Sequence, residues 1–259
     1  MSHVPGRRGN GEKVTTIIPG KKAMNITHAV VTGAGGGIGK ALAAALRAEG
    51  AHVVLADIDA AGLAAASAEI GADAVPTDVA DPAAMEALAD AAPGADLVCL
   101  NAGIVGGDVG VPWEVADDDW DRVFAVNVGG VRNGLRAFVP RMLDSGRPGH
   151  ILITASLAGL VTFPGGGAYP VSKHAVVALA EQTALALDGT PVGVTLLCPG
   201  AVRTAMMHQG EEPADVADAA LAAVREGRFT VTPAEWRAAV TRRAERLASG
   251  AHPGIPSPS

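Results

Sequence analysis

Thr27-His28-Ala29-Val30-Val31-Thr32-Gly33-Ala34-Gly35-Gly36-Gly37-Ile38-Gly39 is the stretch that decides how this chain folds. Its first six residues form a short apolar, β-branched run and read as a buried strand. The glycines after Thr32 end that strand, and Ile38, Leu42 and Leu46 then recur on one helical face until Gly50 stops the helix. Strand, glycine turn and helix in that order make a cradle for a phosphate. Glycine lets the backbone approach the ligand, and the helix N-terminus offers unpaired N–H groups and the positive end of its dipole. The alternative is a tight turn that holds nothing, and the ends of the neighbouring strands must decide.

The same unit repeats outward from there. Residues 52–56 read as a second strand ending at Asp57, followed by an alanine-rich helix over 59–70 and a short strand over 73–76. Asp81 and Pro82 are an N-cap and first-turn pair opening the next helix. Residues 96–100 form a fourth strand, and a long helix spans 117–143, interrupted by Gly129, Gly130 and Gly134. Strands at 150–154 and 192–198 enclose a helix over 167–187; a helix over 213–226, a short strand over 229–232 and a charged amphipathic helix over 233–248 follow. Apolar strands alternating with helices predict an α/β fold with a parallel sheet covered on both faces. No repeat or linker divides the chain, so one domain is expected over 24–249, between flexible tails at 1–23 and 250–259.

Composition narrows the function classes. The net charge of −7 and the lack of a basic stripe beyond the first segment argue against a nucleic-acid partner, although residues 1–23 carry five basic residues against one acid. No apolar run is long enough to span a bilayer and no leader-type apolar segment follows Arg7 and Arg8, so a cytoplasmic setting without membrane contact is expected. The two cysteines, Cys99 and Cys198, lie in or at the end of apolar runs and read as buried thiols; no metal-ligand spacing occurs.

Four further features carry chemistry. Asp57, at the end of the second strand, can accept both ribose hydroxyls of an adenosine and repels a 2′-phosphate, and no Lys or Arg in the glycine loop or at Ile58 would hold that phosphate; this favours NAD over NADP. Asn101-Ala102-Gly103 follows the fourth strand at the edge of the expected crevice. Ser156 follows the fifth strand, thirteen residues before Tyr169, the only tyrosine. Tyr169 and Lys173 lie one helical turn apart, where an ammonium can favour the phenolate. Taken alone, that pair could equally be a surface tyrosine and a solvated lysine.

Thr32-Gly33 through Gly39, Asp57, Asn101-Ala102-Gly103, Asn127, Ser156, Tyr169 with Lys173, and Pro199-Gly200-Ala201-Val202-Arg203-Thr204 fall in order and in register. This set resembles the short-chain dehydrogenase/reductase family in its single-domain form, closely over 27–204 and more loosely to 248. The resemblance implies a doubly wound Rossmann-type sheet of about seven strands in the order 3-2-1-4-5-6-7. It implies that Tyr169 is the general base for alcohol oxidation and the acid for ketone reduction, that Ser156 holds the substrate oxygen, and that Lys173 holds the nicotinamide ribose and depresses the Tyr169 pKa. Asn127 is implied to bend its helix and hold a water leading toward Lys173. Gly33, Gly37 and Ile38 are implied to cover the pyrophosphate, Asp78 and Val79 to flank the adenine, and Asn101, Ala102 and Gly103 to follow the ribose. Pro199, Gly200, Val202 and Thr204 are implied to border the nicotinamide.

Where family members carry a glycine-rich closing strand, this chain has 229–232 and the charged helix, which argues against a tetramer built through that strand and for dimerisation through the helices at 117–143 and 167–187; a homodimer or homotetramer is expected. Ile104, Val105, Leu157, Phe163, Met206 and Met207 are expected to line an apolar substrate pocket. The expected reaction is NAD-dependent interconversion of a hydrophobic secondary alcohol and its ketone. The rivals are an NADPH-linked ketoreductase of biosynthesis, a catalytically silent NAD-binding regulator, which leaves the complete Ser156, Tyr169 and Lys173 set without a purpose, and a methyltransferase, which leaves the second half of the chain unexplained.

Overall fold

Seven parallel strands, β1 (His28–Thr32), β2 (His52–Asp57), β3 (Asp73–Pro76), β4 (Leu97–Leu100), β5 (Gly149–Thr154), β6 (Val192–Leu197) and β7 (Thr230–Val231), pair in the order β3-β2-β1-β4-β5-β6-β7. The computed structural model describes residues 24–204 and 209–258. The 1–23 tail and two of the expected pocket residues, Met206 and Met207, lie outside the described residues.

Alternation along the strands fills two cores. Val30, Val98, Ile151 and Ile153 face one side, under α3 (Pro82–Ala91), α5 (Gly130–Ser145) and α6 (Ala168–Ala186). Val31, Leu55, Cys99 and Leu152 face the other, under α1 (Gly37–Ala48), α2 (Ala60–Ile70) and α7 (Pro213–Glu226). Because both faces are covered, the central strands are apolar without interruption, and each large side chain taken fully out of water contributes about 1.5–3 kcal/mol. Both cysteines are free and buried. Asp59 and Asp81 cap α2 and α3 by accepting from the Ala61 and Ala83 N–H groups, each cap being worth ~1 kcal/mol.

The long helix is interrupted by a π-helical turn where Asn127 lies. It comprises α4 (Asp117–Phe124), a π-helical turn (Ala125–Gly129) and α5. Such turns widen the backbone ladder locally and re-aim a side chain. Gly134 lets α5 lie directly on the end of β4: a Cβ there would collide with the Leu100 side chain. After β7, a 3-10 turn (Ala234–Trp236) precedes α8 (Arg237–Ser249). Residues 250–258 have no regular structure, and the Ser257 carbonyl accepts from Arg242 Nη2 at 2.9 Å. No helix among the described residues is long and apolar enough to cross a membrane.

The strand order reverses between β1 and β4. In an open parallel sheet, the crevice at that reversal, beyond the C-terminal strand ends, is where ligands bind. The glycine loop, Asn101, Ser156 and Pro199 follow those ends, and Asp57 is the last residue of β2.

Candidate active site

One half of the crevice is organised by Thr32. Its hydroxyl donates to the Cys99 carbonyl at 3.2 Å and accepts from the Asn101 and Ala102 N–H groups at 2.9 and 3.1 Å. The Asn101 amide donates to the Thr32 carbonyl at 3.1 Å, so Asn101 locks the end of β4 to the glycine loop rather than extending toward a ligand. Gly33 has φ of +67°, and a Cβ on it would lie 2.9 Å from Ala102 Cα; the turn therefore requires glycine twice over. Helix α1 starts at Gly37 with Gly36 as N-cap, no side-chain cap and no acid in its first turn. Its first N–H groups are thus available to an anion.

Asp57 points back at this loop. One carboxylate oxygen accepts from the Gly35 N–H at 2.8 Å and the other from the Asp59 N–H at 3.0 Å. Each oxygen retains accepting capacity for a hydroxyl. Asp78 is exposed and caps its own turn through the Ala80 N–H. Val79 is buried under Gly130, and its carbonyl accepts from Asn133. The Thr204 methyl faces Gly37, where a Cβ would be 3.0 Å away, so the stretch after β6 reaches across to the glycine loop. Val202 is buried and bridges to Glu211; the Pro199 carbonyl accepts from the Leu157 N–H; Gly200 lies beside Pro233. An uncapped helix start, an acid at the end of β2 and a glycine-only turn between them fit a dinucleotide.

The other half brings Ser156, Tyr169 and Lys173 together. Ser156 opens a 3-10 turn (Leu157–Gly159), its hydroxyl accepting from the Ala158 N–H at 3.1 Å. That hydroxyl is near enough to the Tyr169 phenol to favour its ionised form. Lys173 is 4% exposed; its Nζ donates to the Thr154 carbonyl at 3.2 Å and lies 5.7 Å from the Tyr169 ring centroid. Burial pushes the ammonium down from 10.5 to about 8. Burial pushes the Tyr169 phenol up, opposed by the Ser156 hydroxyl. The expected depression of the Tyr169 pKa by Lys173 is not found: burial raises it, and the opposing influence comes from Ser156.

Asn127 is fully buried in the π-helical turn. It grips Ile104 on both sides, accepting from its N–H at 2.8 Å and donating to its carbonyl at 2.9 Å, and it donates to Ser172 Oγ at 2.9 Å. Gly103 lies between Asn127 and Lys173: a Cβ there would be 3.1 Å from Asn127 Oδ1 and 3.2 Å from Lys173 Nζ. Of the expected pocket residues, Val105 and Phe163 are about a third to two-fifths exposed at 36% and 40%. Leu157 is buried with Val161 and Ala239 of α8, so its side chain is occupied in packing.

A family model described as short chain dehydrogenase matches residues 27–215. The chain belongs to the short-chain dehydrogenase/reductase family. Among its relatives, the 1-deoxy-11-beta-hydroxypentalenate dehydrogenase of Streptomyces avermitilis is 51% identical over 188 residues, covering 69% of each chain. That of Streptomyces exfoliatus is 46% identical over 190 residues, covering 70% of this chain and 69% of the relative. The crystal structure of a short-chain dehydrogenase/reductase from Burkholderia phymatum in complex with NAD superposes with a TM-score of 0.86 at 35% identity, covering 92% of this chain and 100% of that one. This short-chain dehydrogenase/reductase is accordingly an oxidoreductase of CH–OH groups that works with a nicotinamide cofactor on a small molecule.

Sequence reasoning missed Ser172. Its hydroxyl donates to the Tyr169 carbonyl at 2.7 Å and accepts from Asn127, so the π-helical turn holds the turn of α6 that carries Tyr169 through it. The signal was present, since a serine three residues after Tyr169 can bond back along a helix, but the partner on α4–α5 shows only in three dimensions. Ser172→Ala in this short-chain dehydrogenase/reductase is expected to lower kcat about tenfold, the worth of one or two hydrogen bonds, with steady-state kinetics as the check.

Proposed function

We propose that this protein is an NAD-dependent dehydrogenase of hydrophobic secondary alcohols, with Tyr169 as the proton carrier. The observation that carries the reading is the placing of Tyr169 between the Ser156 hydroxyl, which favours its ionised form, and the buried Lys173 ammonium, 5.7 Å from its ring centroid. Ser156 holds the substrate oxygen against the phenol. Tyr169 takes the hydroxyl proton during oxidation and returns it during reduction, and its phenolate is stabilised by the Ser156 donor and the Lys173 ammonium. Lys173 also binds the nicotinamide ribose. Bound in the crevice, the nicotinamide supplies the hydride acceptor. Gly33, Gly37 and Ile38 hold its pyrophosphate, Asp57 the adenosine ribose, Asp78 and Val79 the adenine, Ala102 and Gly103 the chain between them, and Pro199, Gly200, Val202 and Thr204 the carboxamide end.

The preference for NAD rests on Asp57 and on exposed, uncharged Ile58 beside it. Asp57→Asn keeps an acceptor for the Gly35 N–H but removes the charge. It is expected to weaken NAD about tenfold or more, since a charge-assisted hydrogen bond is worth about 1.5–3 kcal/mol, and to improve the ratio of NADP to NAD turnover. A wild-type enzyme that prefers NADPH at equal concentration would contradict the assignment.

Apolar Ile104, Val105 and Phe163 in the loops that follow β4 and β5, and the hydroxy compound named for the Streptomyces relatives, support a hydrophobic secondary alcohol. An NAD-reduction screen over secondary alcohols of graded size tests this. Assembly as a dimer through the outer faces of α4, α5 and α6 is our expectation from the family resemblance.

A further inference from the structure

His174 follows Lys173 on α6, yet its ring reaches the other catalytic segment. Nδ1 lies 2.8 Å from the Pro170 carbonyl, and Pro170 follows Tyr169 in the first turn of α6. Nε2 lies 3.5 Å from Thr162 Oγ1. Thr162 belongs to the segment that begins at Ser156. A carbonyl can only accept, so Nδ1 carries the proton toward Pro170, and in the neutral ring Nε2 accepts from the Thr162 hydroxyl. Burial, and the Arg243 charge facing the ring from α8, keep the imidazole below its ordinary pKa and favour that neutral form.

The surroundings make this joint stiff. A Cβ on Gly159 would lie 2.5 Å from the Lys173 carbonyl, so the serine segment rests directly on α6. On its far side Leu157 and Val161 are buried against Ala239, with Trp236 and Val240 packed around them. The segment is therefore clamped between α6 and α8, and His174 is the side chain in the clamp that hydrogen-bonds both the Tyr169 turn and the serine segment.

We propose that His174 is a positioning residue that locks the Ser156 segment to the first turn of α6 and so keeps the Ser156 hydroxyl on the Tyr169 phenol. This rests on the reading of Tyr169 as proton carrier. Because Tyr169 is the only tyrosine, the ultraviolet band of its phenolate reports its ionisation directly. The Ser156 hydroxyl lowers the Tyr169 pKa, so a loosened Ser156 moves that titration to higher pH.

The test compares wild type, His174→Ala, His174→Asn and Thr162→Val for kcat, NAD dissociation constant and phenolate titration. His174→Ala is expected to lower kcat about tenfold, as for two ordinary hydrogen bonds lost from positioning, to leave NAD affinity within about twofold, and to shift the phenolate titration upward. His174→Asn can keep a donor for Pro170 but is too short for Thr162, and is expected to behave like alanine. Thr162→Val alters an exposed residue off α6, so it folds whatever the helix variants do, and a smaller loss of kcat is expected. Full activity in His174→Asn would reduce His174 to a helix-turn cap and overturn the proposal. Unchanged kcat and phenolate titration in His174→Ala, or unchanged kcat in Thr162→Val, would overturn it too. A failure of the Tyr169 reading shows separately, as turnover retained in Tyr169→Phe.

Discussion

Tyr169→Phe is expected to lower kcat/KM for alcohol oxidation about a thousandfold, within the range for losing a general base, while NAD affinity stays within about threefold. The substitution removes one oxygen and leaves the ring in place. Ser156 keeps its Ala158 N–H bond and Lys173 keeps the Thr154 carbonyl, so the neighbours have partners without the phenol. The glycine loop and Asp57 lie at the other end of the crevice and do not touch it. Chemistry and binding should therefore separate cleanly in steady-state kinetics and NAD titration. Activity that survived within a few-fold would remove Tyr169 from the proton path.

Lys173→Met is expected to give the second large effect, and with opposite signs for activity and stability. An apolar side chain of similar length cannot hold a ribose hydroxyl or favour a phenolate. The predicted loss in kcat/KM is about a hundredfold or more, now accompanied by weaker NAD binding. Stability should move the other way. The folded-state pKa of Lys173 is lowered from 10.5 to about 8, so below pH 8 the protein holds a buried charge that the unfolded chain would hydrate. That penalty, on the order of 3 kcal/mol at about 1.4 kcal/mol per pKa unit, is present in full below pH 8 and fades as pH rises toward 10.5. Lys173→Met removes it. The variant should melt higher than wild type at neutral pH, with the gap closing between pH 8 and 10.5 in thermal scans. A variant that melted lower at neutral pH would show that Lys173 stabilises the fold instead.

The sheet was legible because its signal is local. Uninterrupted apolar runs such as Val30-Val31 and Leu97 to Leu100, each followed by a turn residue and a helix, admit few arrangements, and the strand order came with the family resemblance. Ser156, Tyr169 and Lys173 were legible as a set, although the sequence could not show that Lys173 is buried and therefore that desolvation governs both pKa directions. The roles of Asn101 and Asn127 were less legible. Each could be placed beside the crevice, but only the structure shows Asn101 bonded to Thr32 and Asn127 bonded to Ile104 and Ser172. The packing of Leu157 was hidden for a related reason: this apolar residue beside Ser156 lies under α8, an element 80 residues further along the chain. The ties through Ser172 and His174 depend on partners from distant segments, and no periodicity announces them.

The central claim is that the phenol of Tyr169 is the group whose ionisation permits alcohol oxidation. Its measurement pairs two titrations of the NAD-saturated wild-type enzyme: the pH dependence of kcat for a secondary alcohol, and the growth of phenolate absorbance from the single tyrosine. The account predicts that the acid-side limb of kcat and the phenolate titration share one midpoint, and that both midpoints move upward together in Ser156→Ala. A rate that rises through a pH range in which the phenolate band stays flat would contradict it.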